Sequence, residues 1–157
     1  MEWLLLAIAI LLVLACGVFV AAEFSLITVD RALVEEAAGR GDRRANTVLS
    51  ALRSLSTQLS GAQLGITVTN LAIGFLAEPA IASLLVAPLT ALGVPDSAVS
   101  GISLALGLLI ATAVTMVVGE LVPKNLAIAR PLATARTVAG LDRKSTRLTS
   151  SHGYISY

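Results

Sequence analysis

The stretch Thr112-Ala113-Val114-Thr115-Met116-Val117-Val118-Gly119-Glu120-Leu121-Val122-Pro123-Lys124 decides how this chain is read. A long apolar run leads into it, and Gly119-Glu120 and Pro123-Lys124 interrupt that run near its far end. A carboxyl group at such a depth is costly without a partner, which makes it a functional-site candidate. Gly119 allows close backbone approach, and Pro123 removes a backbone donor. Freed carbonyls beside a carboxylate in a dry setting suit a hard cation.

Composition places the whole chain in the same solvent. Of its 157 residues, 56% are hydrophobic and only 13% charged, and the mean hydropathy is +0.87. Soluble domains carry about a quarter charged residues. The charges are also gathered into short stretches, so the chain is expected to be an all-α integral membrane protein whose first partner is the lipid bilayer. A net charge of +1 excludes a polybasic nucleic-acid binder. Cys16 is the single cysteine, which excludes an internal disulfide and a cysteine zinc site. Small residues fill the apolar runs and predict close helix packing.

Upstream, Trp3–Ala22 is a charge-free run of spanning length with Trp3 as an interfacial anchor. Leu14-Ala15-Cys16 hints at a lipoprotein cleavage site, but there is no basic start and the apolar run continues past the cysteine. A retained helix is expected. Glu23 and Ser25 lie near its end; Glu23 reads as interfacial, whereas the Ser25 hydroxyl serves equally as a solvated group or a weak oxygen ligand. From Val29 to Arg53 the pattern becomes amphipathic, with a break at Gly39-Arg40-Gly41-Asp42. Two short helices at the membrane surface are predicted there, with a hairpin standing in water as the alternative.

Leu59–Leu76 is the second span. Ser60, Gln63, Thr67 and Asn70 recur at helical spacing on one face, a stripe ill suited to lipid. Helix–helix hydrogen bonding and the lining of an ion path both account for it, and the ion path is slightly favoured. Glu78-Pro79 is predicted to end this helix, leaving Ala80–Leu92 as a short re-entrant or interfacial segment. Asp96 or Ser97 can cap the third span, Ala98–Val118. Asn125–Gly140 reads as a further amphipathic piece.

Basic residues set the topology. Arg31, Arg40, Arg43, Arg44 and Arg53 follow the first span, and Lys124, Arg130 and Arg136 follow the third; the loop between the second and third has none. By the positive-inside rule, three crossings put the N-terminus outside and the C-terminus in the cytoplasm. Residues 1–140 form the membrane domain. Residues 141–157 are polar and without periodicity; they look like the non-native ends that sequencing adapters leave, so the natural chain is expected to continue differently after Gly140.

Three stretches together resemble one family. Ala21-Ala22-Glu23-Phe24-Ser25-Leu26, Gln63-Leu64-Gly65-Ile66-Thr67-Val68-Thr69-Asn70 with Glu78-Pro79, and Gly119-Glu120-Leu121-Val122-Pro123-Lys124 are similar to the transmembrane domain of the CorC/cyclin M (CNNM) magnesium transporters, many of them labelled hemolysin-like. The resemblance covers Trp3 to Gly140. It implies a plasma-membrane homodimer with three transmembrane helices per protomer, a helical hairpin and a juxtamembrane belt. It also implies an inward-facing site for dehydrated Mg²⁺, with export coupled to Na⁺ influx. Matched residue by residue, that site would comprise Ser25, Ser60, Asn70, the Gly119 carbonyl and Glu120. Pro123 and Lys124 match the motif in structural or gating roles. Family members usually continue into cytosolic CBS domains, which this chain does not contain.

Residue chemistry agrees, since carboxylate, amide, hydroxyl and carbonyl oxygens suit Mg²⁺, although Na⁺ would accept the same set. The competing reading is a membrane scaffold or sensor whose polar faces only join helices or protomers. An enzyme is not expected: no membrane His or Asp could serve a serine nucleophile, and no zinc motif is present.

Overall fold

In the computed structural model, residues 2–150 are described, and among them there are helices and no strands. The first helix, α1 (Glu2–Thr28), follows directly from a run of apolar residues without a breaker. Ala9, Val13, Cys16 and Val20 are buried, whereas Leu4, Leu11 and Leu14 are exposed. The buried set recurs at steps of four, three and four, which is one stripe of a helix. The exposed leucines are what lipid would cover.

Two short helices follow, α2 (Arg31–Gly39) and α3 (Arg43–Arg53). Each begins on an aspartate cap: Asp30 accepts from the Ala32 amide at 2.8 Å, and Asp42 accepts from Arg44 and Ala45 at 2.9 and 3.3 Å. These bonds satisfy amides that have no partner inside the helix. Between them Gly41 adopts φ +87°, a left-handed conformation that favours glycine. The predicted break therefore falls where expected.

The second long helix departs from its prediction. Instead of stopping at Glu78-Pro79, α4 runs unbroken over Leu55–Ala91 with Pro79 and Pro88 inside it. The segment Ala80–Leu92, expected to be a separate re-entrant piece, is thus mostly its continuation. A proline inside a helix forfeits one backbone bond and costs ~3 kcal/mol. Ending the helix in hydrocarbon would strand several backbone groups at several kcal/mol each. Continuation is therefore the smaller penalty.

Gly93, at φ +83°, turns the chain into α5 (Asp96–Val114). The helix then widens into a π segment over Thr115–Leu121 and resumes as α6 (Val122–Ala129). After Arg130, α7 spans Pro131–Ser150; the amphipathic piece expected over Asn125–Gly140 is thereby split in two. The rest of the polar tail, including His152 and both tyrosines, lies outside the described residues. Three stretches, Trp3–Thr28, Leu55–Ala91 and Asp96–Ala129, are long and apolar enough to cross a membrane. The chain is a multi-pass membrane protein.

Two compact units divide the chain. The first comprises α1 through Val20 and residues Gln63–Pro123. Within it α5 buries Val99, Ser103, Gly107 and Ala111, one residue every fourth position. Small residues at that spacing let helices pack closely in membranes. At Gly107 the approach is closest, since a Cβ there would lie 2.9 Å from the Glu78 carbonyl and 3.0 Å from the Ala82 nitrogen. Gly65 likewise lies under the Phe19 ring.

The second unit comprises Ala21–Ala62 and the chain from Lys124 onward. Its core joins Val29, Val34, Ala37, Ala45, Val48 and Ala135. The apolar faces of α2 and α3 are thus spent on each other and on α7. An ion pair between Asp42 and Arg136 fixes the same contact. Burial raises the Asp42 pKa, but the Ala45 and Arg44 amides and the Arg136 and Arg44 guanidiniums outweigh it, holding the carboxyl below its ordinary range. Lys124 also belongs here, with its Nζ 4.6 Å above the Phe24 ring centroid.

Candidate functional site

The first unit contains an open cleft of about 370 Å³ between α4, α5 and the π segment. From α4 come Asn70, Ile73, Gly74 and Glu78; α5 and the π segment supply Leu108, Ala111, Thr112, Thr115, Met116 and Glu120. Each side therefore mixes apolar residues with carboxyl, amide or hydroxyl groups.

Glu120 reaches this cleft from the π segment. A π turn has i→i+5 hydrogen bonds, seen here where the Val122 amide donates to the Val117 carbonyl. Such turns are rare and cluster at functional sites. Pro123 lengthens the irregularity: it brings no N–H, so the Gly119 carbonyl four residues earlier has no α-helical donor. Gly119 itself is buried, and a Cβ on it would sit 3.7 Å from Val13 of α1. Opposite, Gly17 passes close to the Val118 and Gly119 carbonyls.

Asn70 meets Glu120 across the cleft. Its Nδ2 donates to Glu120 Oε1 at 3.2 Å, and its Oδ1 accepts from the Cys16 thiol, also at 3.2 Å. Three spanning segments are thereby linked by one chain of side-chain bonds. Both Asn70 and Glu120 are half-buried. Each keeps acceptor capacity beyond these bonds, since an amide oxygen has two lone pairs and Glu120 has a second carboxyl oxygen.

The remaining sequence candidates are not among the residues that line the cleft. Ser25 and Ser60 belong to the second unit. Ser25 is fully buried and donates to the Ala22 carbonyl at 3.1 Å; Ser60 is exposed. Pro123 is buried at the end of the π segment. The polar stripe of α4 is only partly turned inward: Thr67 is exposed and bonds back to the Gln63 carbonyl at 2.9 Å. Helical phase, which spacing alone does not supply, selects Asn70 from that stripe.

Glu78, Thr112 and Thr115 are lining residues that the sequence reading did not select. In the sequence Glu78 reads as a helix end; the signals for it are its place in the Glu78-Pro79 stretch and its isolation as the sole charge between Arg53 and Asp96. Among the described residues, no three His, Cys, Asp or Glu side chains come together as a metal cluster. A cation here would therefore combine carboxylate with neutral oxygens.

Residues 7–152 match the cyclin M transmembrane N-terminal domain. The chain belongs to the CNNM family. Curated relatives of this CNNM chain include a UPF0053 protein of Mycobacterium tuberculosis (strain CDC 1551 / Oshkosh), 52% identical over 122 residues, which covers 78% of this chain and 27% of the relative. UPF0053 protein YhdT of Bacillus subtilis (strain 168) is 36% identical over 136 residues, 87% of this chain and 29% of its own. A UPF0053 protein of Synechocystis is 31% identical over 149 residues, covering 92% and 32% respectively. This CNNM chain thus spans between a quarter and a third of the length of these three relatives.

Proposed function

We propose that this CNNM domain moves Mg²⁺ across the plasma membrane, exporting it against Na⁺ influx through the cleft of the first unit. The observation that carries this reading is the meeting of Asn70 and Glu120 inside the spanning region. Mg²⁺ favours carboxylate and neutral oxygen ligands and gives up water reluctantly. Glu120 and Asn70 offer such oxygens without closing the cleft, the Gly119 carbonyl being a ligand that family resemblance adds, and a set with one carboxylate binds without trapping. Ser25 and Ser60, which family resemblance adds as ligands, lie in the other unit; the proposal rests on the cleft alone. Thr112 and Thr115 add hydroxyl oxygens to its lining.

Family resemblance makes a homodimer the expected setting, and the distribution of arginines suggests an N-terminus outside and a C-terminus in the cytoplasm. A reconstituted chain with a trapped Mg²⁺-sensitive dye tests the activity. Wild type should give Mg²⁺ flux that responds to a Na⁺ gradient, and Glu120→Gln should abolish it. Flux that is equal in the two proteins would remove Glu120 from the path.

One observation favours the scaffold reading: the Cys16–Asn70–Glu120 chain joins three segments as helix glue would. The two readings part on ion response. A scaffold keeps its stability unchanged when Mg²⁺ is added, whereas a transporter site is stabilised by its ion.

A further inference from the structure

We infer that Glu78 forms a second cation-binding station in the same cleft, at the end away from Asn70 and Glu120. This inference rests on the cleft being a cation path, as proposed above. Glu78 lies eight residues along α4 from Asn70, a rise of about 12 Å. Its own backbone carbonyl packs on Gly107, thirteen positions before Glu120, so the two carboxyl groups stand at different levels of one cavity.

Glu78 lies inside Leu55–Ala91, a stretch long and apolar enough to cross a membrane. The helix continues for thirteen residues beyond it to Ala91, about 20 Å. There is no other charge from Gln58 through Gly93. Intramembrane carboxyl groups normally find a partner, because an uncompensated charge in hydrocarbon is costly. Glu78 makes no ion pair or hydrogen bond with any described residue, and no Lys, Arg or His lines the cleft. Thr112 and Thr115 line the same space. One carboxylate, a hydroxyl and retained water make a weak oxygen site, suited to a partly hydrated divalent cation. Two such stations in series also favour release, since an ion at one lowers the affinity at the other.

Mn²⁺ serves as the probe, counted per chain by electron paramagnetic resonance on the purified, reconstituted protein. Wild type is expected to take two ions at saturation. Glu78→Gln should take one, with the remaining site weakened by about tenfold through the lost neighbouring charge. Glu120→Gln should also take one. A wild-type count of one overturns the inference even if Glu78→Gln fails to fold, and so does an unchanged count in a folded Glu78→Gln. If Glu120→Gln alone loses an ion, the Asn70–Glu120 site stands and Glu78 falls. If Glu78→Gln alone does, Glu78 stands and the primary reading falls.

Discussion

The amide of Asn70 and the carboxyl of Glu120, fifty residues apart in the chain, are 3.2 Å apart in the structure, and the Asn70 oxygen is held in turn by Cys16. Neither partner is fully buried, yet both sit within spanning segments. Removing one therefore strands the other in a poorly solvated place. Asn70→Ala is expected to lower stability in Mg²⁺-free detergent solution by about 1–3 kcal/mol. Glu120→Gln should cost much less, because the glutamine oxygen still accepts from Asn70. Denaturant titrations of the two variants check this order; the reverse order would mean that the bond is not formed.

The glycines of the membrane segments divide by what a methyl group would meet. At Gly107 it would press on backbone atoms of α4 at 2.9 and 3.0 Å, so Gly107→Ala should destabilise by about 1–3 kcal/mol. At Gly17 the nearest atom is Pro123 Cγ at 3.5 Å, an ordinary contact. Helix propensity then decides, and Gly17→Ala should be neutral or stabilising by up to ~1 kcal/mol. Thermal unfolding of the pair tests both signs at once.

These two glycines also show what a sequence does and does not disclose. Charge-free runs mark all three spans, and Gly39–Asp42 marks the hairpin break, because solvent sets both patterns directly. Pro79 misleads: a helix-stop rule learned in water fails where an unsatisfied backbone costs more than a missing bond. The π segment has no pattern of its own, since it is a shift of hydrogen bonds around Gly119 and Pro123. Glu78 reads as a boundary for the same reason that Pro79 does. Asn70 and Glu120 are legible as chemistry, and only the family resemblance brings them to one site; their meeting depends on the rotation of α4 against α5.

Asp42 carries the acid sensitivity of the second unit. Its carboxyl is held below the ordinary range by two amides and by Arg136 and Arg44, so it binds its proton less readily folded than unfolded. The stabilisation it provides is full above the unfolded value, about 3.9, and is lost as pH falls through the lower folded value. Asp42→Asn keeps a competent helix cap but removes the charge. The variant should be less stable than wild type at neutral pH, and the difference should shrink as the pH is lowered through that range. A difference that is constant with pH would show that the cap alone, not the charge, matters.

Lys124 lies over the Phe24 ring at 4.6 Å, which places this motif residue in a cation–π contact within its own unit. Phe24→Leu retains apolar bulk and loses the ring. It should cost about 0.5–1 kcal/mol, and the same loss should be absent when Lys124 is already glutamine. A double-mutant cycle with no coupling would reject the contact.

The central claim, that a cation is held between α4 and the π segment, is tested most directly by calorimetric titration of Mg²⁺ into the purified wild-type chain, Glu120→Gln and Asn70→Ala. Saturable binding in wild type, one ion of which is lost in Glu120→Gln and weakened by tenfold or more, about 1.4 kcal/mol, in Asn70→Ala, is the predicted result. Binding of equal strength in all three folded proteins, or none in wild type, would contradict it and leave the Cys16–Asn70–Glu120 chain as a structural tie between helices.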